Sequence, residues 1–93
     1  MQNDVFHVVV FFTGHVQGVG FRYQTLQIAK EFEVSGYVMN LVDGRVQMEA
    51  EGFEDEINAF ISELEDRLDG YIRNTEVRST RRASQFRGFD IRY

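Results

Sequence analysis

Arg22 lies near the end of a glycine-rich run, "TGHVQGVGFRYQ" (Thr13 to Gln24), which holds Gly14, Gly18 and Gly20 and no acidic residue. Glycine opens backbone conformations closed to other residues. A loop of that kind feeding a helix can aim several amide N–H groups into one concavity, a geometry suited to phosphate or carboxylate. Arg22 adds a planar cationic fork that can take two oxygens of the same anion. Its place is otherwise unfavourable, because a cation at a helix start opposes the helix dipole. No Asp or Glu occurs from Val5 to Lys30 to compensate. The glycines by themselves also suit a plain strand-to-helix turn; together with Arg22 they point to a small-oxyanion site. The spacing is neither a Walker loop, which needs a following Lys-Ser/Thr pair, nor a dinucleotide fingerprint.

A second candidate is Asn40, on a segment that shares one face among Val38, Asn40 and Val42. A polar amide among apolar neighbours is unusual there, although an asparagine just before a turn is often simply a hydrogen-bonding turn residue. His15 invites a general-base reading simply as a histidine, but its setting reads as surface loop, and no side-chain chemistry is assigned to it. His7, inside the first apolar run, reads as a packed or hydrogen-bonded sheet residue. Tyr37 and Tyr93 read as packing residues with hydroxyls at the surface. Glu49, Glu51, Glu54, Asp55 and Glu56 could suggest a hard-metal site. Strand alternation and a helix first turn account for them more simply, and neither a metal nor a cofactor is expected.

The positioning elements follow from periodicity. Val5 to Phe12 is almost continuously apolar and β-branched, as for a strand buried on both faces. Phe21, Thr25, Ile28, Ala29 and Phe32 form one helical stripe, with Gly36 as its stop. Tyr37 to Leu41 alternates, and so does Arg45 to Glu51, where Val46, Met48 and Ala50 face one way. Asp43-Gly44 between them signals a hairpin through a type I′ turn. Phe53, Ile57, Phe60, Ile61, Leu64 and Leu68 give a second helix, closed by Gly70, with Glu54, Asp55 and Glu56 on its positive end. Ile72 to Thr80 reads as a polar edge strand and Phe89 to Tyr93 as a short last one. This order predicts an α+β, ferredoxin-like α/β sandwich: an antiparallel sheet with two helices on one face, βαββαβ plus a short extra strand. The first two strands of such a unit run parallel through a right-handed crossover. Their C-terminal ends, carrying the glycine loop and Asn40, therefore meet at one edge of the sheet.

Bulk properties set the limits. The 93 residues make a single domain, 1–93, with 43% hydrophobic and 27% charged residues. No apolar run approaches the ~20 residues of a membrane helix, no basic leader is read, and the absence of cysteine removes disulfides and thiolate chemistry. A cytoplasmic monomer with no membrane partner is expected. The net charge of −5 disfavours nucleic acid, and its distribution is uneven. Glu49 to Asp66 holds eight acids and no base, while Arg67 to Arg92 holds seven arginines against three acids. The glycine loop is locally positive, as a small anion would require.

"GHVQGVGFR" (Gly14 to Arg22) resembles the first signature of the acylphosphatase family, Gly-x-Val-Gln-Gly-Val-x-Phe-Arg, with every fixed position filled. "GYVMNLVDGRVQMEAEG" (Gly36 to Gly52) resembles the second, also complete, and "FDIRY" is similar to the family's usual end. The resemblance covers nearly the whole chain and implies the same sandwich fold. It further implies hydrolysis of the carboxyl–phosphate bond of acyl phosphates, with orthophosphate as an inhibitor. On that resemblance Arg22 holds the phosphate, Asn40 orients the attacking water, and the backbone amides of His15, Val16, Gln17, Gly18, Val19 and Gly20 form the cradle. Position 15 is open in the signature, which agrees with leaving His15 without a side-chain role.

Three alternatives stand beside hydrolysis. A phosphate- or acyl-phosphate-binding module without turnover would carry the same residues. Acylphosphatase-like domains also begin large carbamoyltransferases, but nothing cysteine-rich follows here, and a stand-alone enzyme is expected. An RNA-recognition module shares the topology, and "RGFDIRY" (Arg87 to Tyr93) echoes part of its consensus. That consensus belongs on a central strand, and Arg45 to Glu51 has no aromatic residue to stack on a base.

Overall fold

The computed structural model describes residues 4–93. Its elements are β1 (Asp4–Gly14), α1 (Phe21–Ala29), β2 (Val34–Asn40), β3 (Val46–Gly52), α2 (Glu54–Arg67), β4 (Ile72–Ala83) and β5 (Phe89–Arg92). They form one five-stranded sheet in the order β4-β1-β3-β2-β5. β3 pairs antiparallel with both β1 and β2, so β1 and β2 run parallel to each other, as the split crossover requires. β5 adds to β2 in parallel. The sheet is therefore mixed rather than wholly antiparallel, and the C-terminal ends of β1, β2 and β5 share one pole.

Strand alternation builds the core. Val8, Val10 and Phe12 of β1, Val46, Met48 and Ala50 of β3, and Val38 of β2 are fully buried. They pack in one cluster with Phe21, Ile28 and Ala29 of α1 and Ile57, Phe60, Ile61 and Leu64 of α2. Each large apolar side chain buried in this way contributes roughly 1.5–3 kcal/mol. Phe12 meets Phe21 in a tilted ring pair with centroids 5.3 Å apart. That contact ties the strand before the glycine loop to the first helical residue after it.

Several local expectations are corrected. β1 is not buried on both faces: Val9 and Phe11 are only half-buried, because both helices take the same side of the sheet. α1 ends at Ala29, well before Gly36, which lies inside β2. There a Cβ would stand 1.9 Å from the Glu49 carbonyl oxygen; Gly36 serves close strand approach, not helix termination. The β2–β3 turn is not type I′, since Gly44 has φ 95° but no non-glycine residue among those described has positive φ. Gly44 N–H instead donates to Leu41 O (3.2 Å) and Leu41 N–H to Arg45 O (2.8 Å). This is the longer hairpin loop that puts its single left-handed residue after an ordinary turn. Gly70 has no positive φ; α2 gives way at Leu68, whose carbonyl accepts from Tyr71 N–H and Ile72 N–H.

Candidate active site

The glycine loop begins where β1 leaves the sheet. His15 N–H donates to Tyr71 O at 2.9 Å, and His15 is exposed. Val16 is fully buried and Val19 packs against the core, so two apolar anchors hold a loop that is otherwise backbone. Gly18 (φ 79°) and Gly20 (φ 77°) both take the left-handed region. An added Cβ at either would meet no atom within 4 Å; glycine is needed there for its backbone angles and not for space. Gly20 is also the N-cap of α1 and offers no capping side chain.

The consequence is a run of free donors. Among the described residues, the backbone N–H groups from Val16 through Tyr23 have no protein acceptor. Some of these are the orphan donors that every helix start leaves, carrying the positive end of the dipole. The loop extends that set backwards by several residues.

Arg22 and Asn40 line one cavity of about 190 Å³, together with Gly18, Gly20, Phe21 and Tyr93. That is below the roughly 300–1,000 Å³ of sites that enclose drug-sized ligands. No carboxylate or imidazole side chain is among its lining residues. Arg22 forms no ion pair among the described residues, whereas Arg45, Arg67, Arg78, Arg81 and Arg82 each reach a carboxylate. Its guanidinium carbon lies 4.9 Å from the centre of the Tyr93 ring, a cation–π contact that holds the fork without neutralising it. Asn40 closes β2, opposite Val46, and its Oδ1 is buried without a hydrogen-bond partner. An orphan buried acceptor of that kind costs about 1–3 kcal/mol.

These findings separate the expected site residues. Arg22, Asn40, Val16, Gly18 and Gly20 meet at the cavity. His15 does not, and its amide is occupied. Gln17 sends its side chain away from the cradle, to the β2–β3 hairpin. Val42, expected to share Asn40's face, is fully exposed in the turn, which leaves Val38 as the apolar neighbour on that face. Tyr93 does not pack in the core: it is 96% exposed, with its ring beside Arg22. Its presence at the cavity follows from the parallel β2–β5 pairing, which periodicity did not reveal.

The acylphosphatase family pattern matches residues 8–91. The chain belongs to the acylphosphatase family. Membership makes it an enzyme of the hydrolase class. An acylphosphatase of Oceanobacillus iheyensis is 37% identical over 89 residues, covering 94% of this chain and 98% of that protein. The crystal structure of an acylphosphatase from Bacillus subtilis superposes with a TM-score of 0.86 at 29% identity, covering 95% of this chain and 99% of that one. A similar unit occurs within full-length HypF in its phosphate- and nucleotide-bound form, at a TM-score of 0.74 and 27% identity. There the match takes all of this chain but 12% of the other. No helix among the described residues is long and apolar enough to cross a membrane.

Proposed function

We propose that the chain hydrolyses the carboxyl–phosphate bond of acyl phosphates, with Arg22 holding the phosphoryl group and Asn40 orienting the attacking water. One observation carries the reading: among the described residues, a guanidinium without an ion pair, a buried acceptor without a partner, and residues whose amides have no protein acceptor, Gly18 and Gly20 among them, border the same small cavity.

An acyl phosphate is a mixed anhydride. As the water oxygen bonds to phosphorus, the bond from phosphorus to the bridging oxygen breaks and its electron pair leaves with the carboxylate. Such a leaving group needs no strong acid, and phosphoryl transfer through a loose transition state then requires mainly positioning and charge stabilisation. Arg22 and the amides of Gly18, Val19 and Gly20 meet the equatorial oxygens. Asn40 Oδ1 accepts a hydrogen bond from the water and so aims its lone pair at phosphorus. The water's proton passes to a phosphate oxygen of the substrate. Because the carboxylate departs unaided, the reaction proceeds here without a metal, in a cytoplasmic monomer.

The test is turnover of benzoyl phosphate in the presence of a chelator, with orthophosphate as a competitive inhibitor and little activity on phosphate monoesters. Activity lost on chelation and restored by a divalent ion overturns the metal-free mechanism. Phosphate binding without turnover leaves a binding module. RNA is not the expected ligand. The open face of β3 carries Gln47, Glu49 and Glu51 in place of aromatics, and the Phe11 ring lies beneath Arg45 and Arg78. Sub-micromolar, sequence-dependent RNA binding near physiological salt would reverse that ranking.

A further inference from the structure

Gln17 joins the glycine loop to the β2–β3 hairpin. Its Nε2 donates one hydrogen to Leu41 O at 2.8 Å and the other to Arg45 O at 2.9 Å, across 24 and 28 residues of sequence. These two carbonyls flank the neck of the β2–β3 hairpin, where Arg45 O also accepts from Leu41 N–H. The carboxamide thus uses both its donors on the peptide segment that begins immediately after Asn40. Among the described residues no other hydrogen bond joins residues 15–20 to the hairpin. The remaining constraint on the loop there is the packing of Val16 and Val19, which fixes depth better than lateral position, because apolar contacts are non-directional.

We propose that Gln17 is a positioning residue that sets the alignment of the amide cradle against Asn40. The inference rests on the reading that Asn40 orients the water. Without the link the cradle still binds phosphate through its own amides and Arg22, but the water and phosphorus lose their alignment. Small displacements of this kind are expensive in phosphoryl transfer.

The experiment is a double-mutant cycle on the full chain with Gln17→Met, Asn40→Ala and the double variant. It measures kcat on benzoyl phosphate and the orthophosphate inhibition constant, with circular dichroism as the folding control. Gln17→Met keeps the length and removes both donors. It should lower kcat by roughly tenfold and leave phosphate inhibition within about twofold, and in the Asn40→Ala background it should cost almost nothing more. Additive losses, an unchanged kcat, or a parallel loss of phosphate affinity overturn the inference, as does a Gln17→Met chain that does not fold. If Asn40→Ala by itself leaves kcat unchanged, it is the reading of Asn40 that fails. Gln17→Glu adds a pH readout. Its carboxylate opposes the two carbonyls but donates to one of them once protonated, so its kcat relative to the parent should rise as pH is lowered from about 7 to about 5. A flat ratio also counts against the link.

Discussion

Two polar regions of this chain are built on opposite rules. On the face of the sheet away from the helices, polar groups are matched to one another. His7, 4% exposed, sits with Nε2 2.8 Å from Glu49 Oε1. The Tyr37 hydroxyl donates to Glu49 and accepts from Gln47 Nε2 at 2.7 Å. Glu51, 2% exposed, accepts from Ser84 Oγ, Gln85 N–H and Phe86 N–H at 2.6, 2.8 and 2.9 Å. Arg82 Nε is the exception on that face. At the pole of the sheet, among the described residues, Arg22 has no ion-pair partner, Asn40 Oδ1 no hydrogen-bond donor and the amides of Val16 to Tyr23 no acceptor. Folding satisfies buried polar groups because orphans are costly. Asn40 Oδ1 is the buried orphan among them, and the proposed function assigns its completion to the bound substrate and water. The matched face fastens the chain; the unmatched pole is where that proposal puts the phosphate.

The contrast predicts that substitutions at the pole cost activity and those on the open face cost stability. The largest effect should come from Arg22→Ala, which removes the only charged side chain among the described residues that line the cavity: most turnover is lost and orthophosphate inhibition weakens, with the fold intact by circular dichroism. Asn40→Ala should lower kcat on the order of 10²-fold, as for one well-aimed polar group, with phosphate affinity nearly unchanged. Its urea midpoint should not fall, since the side chain removed contains an unsatisfied acceptor. A destabilised Asn40→Ala chain, or one that loses phosphate affinity at unchanged kcat, would return Asn40 to the matched class.

Gly18→Ala comes next. At φ 79° an alanine is strained by about 1–2 kcal/mol, and the loop can relieve that strain only by turning amides away from the cavity. A roughly tenfold or greater loss in kcat/KM is expected, measured beside the urea midpoint. Undiminished activity would make this glycine a spacer.

On the open face, Glu51→Ala leaves the Gln85 and Phe86 amides without their acceptor and should cost about 1–3 kcal/mol in urea unfolding at nearly unchanged kcat. The smallest effect is its pH dependence. Burial by itself would raise the Glu51 pKa, but the Ser84 hydroxyl, the Phe86 and Gln85 amides and the charge of Arg82 together hold it below its ordinary 4.5. Glu49 is likewise held below 4.5, with Tyr37, His7 and Arg82 outweighing burial. A carboxylate with a depressed folded value binds its proton more weakly in the native state than in the unfolded one. The stability it contributes is complete above 4.5, declines below it, and is gone once pH has fallen past the folded value. Urea midpoints should therefore drop on acidification below 4.5, and Glu51→Gln should shallow that drop. An unchanged slope would show that Glu51 carries none of it.

Much of this was legible in residue order. The alternation of Val46, Met48 and Ala50 set the core face of β3, and all three are fully buried. The 3.6-residue stripe placed Ile57, Phe60, Ile61 and Leu64 in the core. The absence of acids around Arg22 agrees with a guanidinium that forms no ion pair among the described residues. Where reading failed, the cause was a glycine or a partner out of local sight. Gly36 looked like a helix stop because the need for close approach to Glu49 lies across the sheet, and Asp43-Gly44 looked like a type I′ turn because the dipeptide does not record its loop length.

The sequence by itself determined which groups would be polar, which faces apolar and where the backbone could turn left-handed, since these depend on residue type and short-range spacing. Only the tertiary structure decided which polar groups would find one another. It put Glu51 beneath the Ser84–Phe86 segment, sent Gln17 to the hairpin neck and brought Tyr93 beside Arg22. The reason is physical: hydrogen bonds and charge contacts act over a few ångströms, and the separations that count are set by strand pairing across the sheet, not by position along the chain.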